Sequence, residues 1–281
     1  MLNRQTLLHA LLFTLVFSCT LAWSLPLDLV ASRFVFQRIA NSTGVTVSAE
    51  SVRFGLPFSL VLRNVSLSST TRKSILPDKI PEARFSPSLQ LLRGKKDGRV
   101  EIQFPSGSFH LEADDGLFRF SGTDLEASTI KSLFGSTGWS LKGRLNFSGE
   151  FSGNDLQTGA GKLDLSLKDA LLSKTRIMGM ELPDLLFGTF DGKLKIEKGR
   201  MDIVVARSTG GNLQLDLSGG MTIAKPFSQS VMGLTTKVAT TPAFESALGP
   251  VSSLMAKAKK PDGSILIGTD GPMAAVTNSF R

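Results

Sequence analysis

With two histidines, one cysteine and no tyrosine among 281 residues, this chain has few side chains able to do covalent or proton-transfer chemistry. His9 lies in a long apolar run and His110 stands alone in an alternating segment, so neither a catalytic triad nor a histidine metal cluster is available. Asp114 and Asp115 are adjacent carboxylates. Consecutive residues of a strand face opposite ways, and the following Gly116 favours a turn over an acid/base pair. The run Gly188 to Lys193, GTFDGK, superficially matches a phosphate loop, but it is a residue short and Leu194 stands where Ser or Thr would hold magnesium. Gly159-Ala160-Gly161 opens no helix, which removes a dinucleotide fingerprint. A lone Cys19 makes neither an internal disulfide nor a zinc cage. Three Asn-x-Ser/Thr triplets, at Asn41, Asn64 and Asn146, are near chance in a chain this rich in Ser and Thr. No catalytic residue, cofactor or metal is expected.

The informative pattern is instead the element that such residues would decorate. From Leu141 to Phe151 the odd positions are Leu141, Gly143, Leu145, Phe147, Gly149 and Phe151, and the even ones Lys142, Arg144, Asn146, Ser148 and Glu150. A strand sends alternate side chains to opposite faces, so one face is apolar and the other charged. After a polar stretch from Ser152 to Gly161 the alternation returns in Leu163, Leu165 and Leu167. The same pattern recurs in Leu194 and Ile196 and in Leu213 and Leu215, and these residues together are the candidate apolar groove face.

Composition agrees with a chain of short strands and tight turns: 27 glycines, 20% charged residues, and Phe 19 against Trp 2. The net charge of +8 favours anionic partners. The cations are spread along alternating strands and are not interleaved with aromatic platforms, so a solvated strand face or a membrane surface is expected and nucleic acid is not.

At the amino terminus Arg4 precedes residues 7–25, which carry no charged side chain. As a helix this run spans roughly 28 Å, close to the hydrocarbon thickness of a bilayer. Leu7, Leu8, Leu11, Leu12, Phe13, Leu15, Val16, Phe17 and Leu21 form its apolar body, Trp23 suits the interface and Pro26 ends it. Residues 1–26 read as a signal anchor, a cleaved signal peptide with small residues at Ala22 and Ser24, or a lipoprotein signal at Cys19; each carries the remainder across a membrane. Residues 27–39, with Arg33 and Arg38, read as an amphipathic helix, either at the membrane surface or capping the β domain.

Along the rest of the chain, Leu60, Leu62 and Asn64 are placed on one face and Val61, Arg63 and Val65 on the other. Pro77, Pro81 and Pro87 mark strand edge or coil. Residues 124–134 suggest a short helix capped by Thr123 or Asp124, and a second helix runs from Thr241-Pro242 to about Ala258. Residues 171–186 are mixed and carry no assignment. Turns are expected at Lys198-Gly199 and Gly210-Gly211, and Ile265 and Ile267 lie in a last strand before a loose tail. The domain plan is a membrane segment over 1–26, an antiparallel β domain over 27–270 and a tail over 271–281. With no βαβ rhythm, the fold class is mainly β: a long, curved antiparallel sheet with a few short helices and an N-terminal transmembrane helix.

Gly55-Leu56-Pro57 leading into Leu60-Val61-Leu62-Arg63-Asn64-Val65, the Leu141 to Gly149 repeat, an Asp191-Gly192-Lys193-Leu194 turn and the closing Asp262-Gly263-Ser264, Gly268-Thr269 and Pro272 carry a family likeness. With the apolar amino terminus, they resemble the N component of type II secretion systems, in the form carried by deltaproteobacteria and spirochaetes, itself similar to AsmA-type periplasmic proteins. The first resemblance implies a single-pass anchor in a bacterial inner membrane, a periplasmic β domain and an accessory role through contacts with other secretion subunits. The AsmA-type resemblance implies a curved sheet whose apolar inside holds phospholipid acyl chains. A closed β core that binds no lipid is the third outcome.

Overall fold

An alternating code interrupted by Gly, Asn and Asp dictates antiparallel strands that return on themselves. The computed structural model describes residues 36–37, 45–55, 59–69, 79–88, 97–128, 140–153, 155–174, 176–177, 180–225, 229–248, 252, 256–273, 275 and 277–280. In chain order these form β1 (Val45–Gly55), β2 (Ser59–Ser69), β3 (Lys79–Pro87), β4 (Gly98–Phe104), β5 (Gly107–Asp114), β6 (Leu117–Glu126), β7 (Ser140–Ser152) and β8 (Ala160–Ser173). There follow β9 (Arg176–Ile177), β10 (Met180–Glu181), β11 (Leu185–Glu197), β12 (Arg200–Gly210), β13 (Leu213–Thr222), β14 (Val231–Thr240), helix α1 (Pro242–Ala247), β15 (Ile265–Pro272) and β16 (Thr277–Phe280). All but β9 and β10 belong to one 14-stranded sheet, in which each strand pairs antiparallel with its successor. β9 and β10 make a separate hairpin between β8 and β11. The protein is mainly β; residues 1–26, where a membrane segment is expected, lie outside the described residues, as does the expected helix over 27–39 apart from Phe36 and Gln37.

Several expectations meet the structure as stated. β7 and β8 pair with Phe147 opposite Leu165. Asp115 (φ 41) with Gly116 (φ 90), and Lys198 (φ 48) with Gly199 (φ 76), take the two positive-φ positions of hairpin turns whose twist matches the flanking strands. Residues 171–186, left unassigned, hold the end of β8, the β9–β10 hairpin and the start of β11.

Other expectations are corrected. Asn64 sits in the left-handed region (φ 50), and the β2–β3 ladder steps from Arg63 opposite Glu82 to Val65 opposite Ile80. The register is unshifted on either side, so this is a left-handed twist at a single residue rather than a bulge; Val65 joins the cluster that Leu62 packs against, and Asn64 is exposed, its Nδ2 donating to Glu50 Oε2 at 2.7 Å. The same break accommodates Pro81 inside a central strand: it stands across from Asn64, where β2 and β3 leave the ladder unpaired and no donor is required. Of the helix expected over 124–134, residues 124–126 belong to β6, residues 127–128 take a 3-10 turn and 129–134 lie outside the described residues; Asp124 (φ 51) is a bulge residue whose N–H donates to Asn146 Oδ1 at 2.9 Å. The Asp191 to Leu194 segment is strand, not turn. α1 begins as expected, with Thr241 Oγ1 accepting from the Phe244 N–H and Pro242 in the first turn, and it closes at Leu248, while helical backbone returns at residues 252 and 256–258 of the expected span and its other residues lie outside those described. Gly249-Pro250 follows, and the residue before a proline disfavours helical backbone. In the tail, β15 runs to Pro272 and β16 pairs with it through Ile267 opposite Phe280.

Bulges recur across the strands, at Asp124 in β6, at Gly143 against Asp169 in β7 and β8, at Gly188 in β11 and at Val204 in β12, and Asn64 adds a left-handed residue in β2. Each extra residue bends its strand and increases the local twist, so together they crease the sheet. Gly143 shows why the crease needs glycine. Its φ is +135, and an added Cβ would lie 2.7 Å from the Lys168 carbonyl oxygen. Apolar side chains on the inside of this crease are buried: Val65, Ile80, Phe104 and Leu125 form one cluster, with Leu145 and Phe147 against it. Farther along the sheet, Phe244 and Leu248 of α1 cover Leu182, Leu185 and Leu213.

Candidate apolar trough and its charged back

Pairing registers place every residue of the candidate groove on one face. Leu145 is opposite Leu167, Phe147 opposite Leu165, Phe151 opposite Gly161, Leu163 opposite Leu194, and Ile196 opposite both Gly161 and Met201. Leu141 pairs with Leu172, while Leu213 and Leu215 pair with Thr240 and Val238. One row runs along the crease: Val65 opposite Ile80, Phe104 packed with both and with Leu125, then Leu125, Leu145, Leu167, Phe190 and Ser208 each opposite the next, Leu215 bonded to Ser208, and Val238 and Ile265 following in register. At about 4.8 Å per strand this row is on the order of 50 Å long. Its ends are buried, whereas Leu145, Leu167, Phe190 and Leu215 in its middle are half-buried. Ser208 is the polar member. Its hydroxyl donates to the Leu213 carbonyl at 3.2 Å and accepts from the Leu215 N–H at 2.8 Å, so burial leaves it satisfied.

The half-burial has a local cause that the sequence did not disclose. Large side chains lie over glycines directly across the ladder: Phe147 over Gly122, Phe120 over Gly149, Phe151 over Gly161 and Leu165 over Gly192. A Cβ on Gly122 would be 2.4 Å from Phe147 Cε1, so the ring occupies the space a side chain would fill. Phe109 and Phe120 flank Phe147 with ring centroids 6.2 and 6.4 Å away, tilted by 43° and 51°. The aromatic surface is therefore covered from below by the sheet itself. Among the described residues no second sheet covers it from above. The signal was present as alternating Phe and Gly at odd positions, but only the register shows that each ring meets a glycine.

The other face is a lattice of cross-strand charges. Arg63 meets Glu82 at 3.4 Å, Arg99 meets Glu112 at 3.2 Å, Lys162 meets Glu150 at 3.2 Å and Lys193 meets Asp164 at 3.7 Å. These pairs are exposed, so each contributes little to stability and chiefly keeps this face wet. Hydrogen bonds from Lys237 and then Ser264 hold the Asp262 carboxyl far below its ordinary range, and Lys259 followed by Thr240 lowers that of Glu245. Lys225 does the same for Asp155. Open depressions lie on this charged side. One of about 480 Å³ is lined by Arg99, His110, Glu112, Arg119, Glu150 and Lys162. A second, of about 580 Å³, is lined by Arg84, Asp97, Arg99, Glu101 and Glu112. A third, of about 870 Å³, mixes Asn146, Asp164, Lys193 and Arg207 with Phe147, Leu165, Val204 and Val205. A twisted sheet is concave along one diagonal on each face, and such hollows follow from it. Their cations and carboxylates largely neutralise one another, which leaves no focused field for a charged substrate.

Asp114 and Asp115 flank a hairpin turn, and His110 is exposed on a strand. Among the described residues no group of three or more His, Cys, Asp or Glu side chains converges as a metal site. None of their helices is long and apolar enough to cross a membrane, while the candidate anchor residues Leu7 to Trp23 lie outside the described residues. No family model matches the chain, and no curated protein or solved structure matches it.

Proposed function

We propose that this protein handles lipid, holding phospholipid acyl chains along the creased apolar face of its sheet. One observation carries the reading: along this row the side chains of Leu145, Leu167, Phe190 and Leu215, spread over about 20 Å, stay half-buried on a sheet with no opposing sheet among the described residues. Such a face left to water would invite aggregation, and a flexible hydrocarbon chain is an occupant that fits an apolar floor lacking polar anchors. From Leu141 to Phe151 the apolar stripe extends roughly 33 Å along the strand, against the ~15 Å of a single leaflet's hydrocarbon. Acyl chains can therefore lie across the trough at full length. An amino-terminal anchor would hold the trough beside the membrane that supplies the lipid, in agreement with the AsmA-type resemblance.

The test is native mass spectrometry, with lipid extraction, of the chain from Leu27 onward after purification from a membrane-containing host. The expected result is stoichiometric phospholipid, lost in Phe147→Glu and kept in Ser148→Glu, which puts the same charge on the opposite face. A lipid-free wild-type mass, or lipid retained by Phe147→Glu, overturns the reading. A second reading is an accessory subunit of a type II secretion machine acting through protein contacts. It is supported by the open ends of the sheet: among the described residues no strand pairs with the outer side of β1 or β16, and a partner's strand can add there. Co-purification of secretion subunits with a lipid-free domain would favour it.

A further inference from the structure

On the charged back, Arg144 and Lys168 are direct cross-strand partners in β7 and β8. Like charges so placed repel, and a sheet normally avoids the arrangement. Lys142 lies two residues along β7 on the same face, and Lys174 follows the end of β8. All four are exposed. On the same face Arg99, Arg119, Lys162 and Lys193 each have a carboxylate within 4.0 Å. Among the described residues Lys142, Arg144 and Lys168 have none, although Glu126 is the other cross-strand neighbour of Arg144 and Asp169 follows Lys168. A second feature singles out this margin. Lys142 is opposite Leu171, and Leu171 is opposite Leu186, a large apolar side chain left 47% exposed. Unpaired cations around an exposed leucine are the composition of a surface that seats against anionic headgroups, with the leucine entering the interface.

We infer that Lys142, Arg144, Lys168 and Leu186 form a membrane-docking patch for an anionic phospholipid surface, which presents the creased margin of the sheet to the bilayer. The patch is on the face opposite the trough and does not require lipid within it. Its test is made on the full chain carrying Cys19→Ser, reconstituted into vesicles of brominated phosphatidylcholine with or without phosphatidylglycerol. A fluorophore is attached through Ser140→Cys, beside the patch, or through Gln157→Cys, at the opposite margin. Bromine should quench the Ser140→Cys label only when phosphatidylglycerol is present, and the Gln157→Cys label in neither membrane. Quenching should disappear in Lys142→Gln/Arg144→Gln/Lys168→Gln, and each single neutralisation should weaken docking about fivefold. Leu186→Asn should reduce quenching while leaving the salt dependence unchanged. Equal quenching in both membranes, or quenching that survives the triple neutralisation, overturns the assignment. Absence of quenching in either membrane overturns it too and leaves an acidic protein as the occupant.

Discussion

Gly122→Ala puts the ring-over-glycine arrangement to a sharp test. Gly122 has an ordinary negative-φ strand backbone, so alanine on its own should stabilise the chain by about 0.4–1 kcal/mol through the unfolded state. The new methyl would nevertheless arrive 2.4 Å from Phe147 Cε1, 2.7 Å from its Cζ and 2.8 Å from Leu125 Cδ1. All three atoms belong to side chains, so the backbone can stay while the ring is pushed off the sheet, an overpacking cost of about 1–3 kcal/mol. The net expectation is destabilisation by about 1 kcal/mol, a fall of roughly 2–4 °C in Tm for a domain of this size. In a Phe147→Ala background the obstacle is gone, and the same substitution should stabilise by about 0.5 kcal/mol. Urea unfolding of wild type, both single variants and the double variant closes the cycle, with a coupling of roughly 1.5–2 kcal/mol. If Gly122→Ala has the same sign and size in both backgrounds, Phe147 does not rest on Gly122 and the cause given for the half-burial is wrong.

Leu125→Ala, on the buried side of the crease, should cost about 2–5 kcal/mol by urea unfolding, while Leu165→Ala, half-buried on the open face, should cost about 1 kcal/mol; equal losses would mean that the open face is covered. Gly143→Val should destabilise strongly, because valine at φ +135 is strained and its Cβ would meet the Lys168 carbonyl, and circular dichroism should show that sheet content falls on mild heating. The lowered carboxyls of Asp155, Glu245 and Asp262 have folded values below their unfolded ones, so their contribution is present above about pH 4 and is lost as pH falls through the folded values. Urea midpoints should therefore drop below about pH 4, the drop should shrink with salt, and Asp262→Asn should remove part of it.

Where the chain alternates without interruption, its local pattern was enough to read the structure: β7, β8, β11 and β13 and the faces of Leu145, Leu165, Leu194 and Leu215 follow from period two alone. The misreadings cluster at left-handed residues. A single residue in the left-handed region reverses the parity of everything after it, as Asn64 does for Val65, and periodicity contains no term for such a reversal. Pro81 follows the same rule, since the left-handed Asn64 that leaves its place in the ladder unpaired lies on the neighbouring strand. Asp124 looked like a helix cap because Asp favours caps and left-handed bulges alike, and pairing with Asn146 on β7 decides between them. Of the trough, its residues were legible and its shape was not. The seating of Phe147 on Gly122 joins positions that only the register of β6 and β7 brings together.

A sheet of this length with no opposing sheet among the described residues poses an energetic problem, since one face of every strand would ordinarily need an opposing layer. Seating rings and leucines on cross-strand glycines is a partial solution. Phe147 loses the water beneath its ring to Gly122 and the water at its flanks to Phe109 and Phe120, while its outer surface stays available. The arrangement recovers part of the burial energy without closing the face, and the crease concentrates the remainder in Val65, Ile80, Phe104 and Leu125. A protein selected only for stability would gain by filling Gly122, Gly149 and Gly192 and covering the sheet with helices. Retaining glycine beneath each ring keeps the floor low and continuous, which is what a chain-like apolar ligand requires and a static core does not.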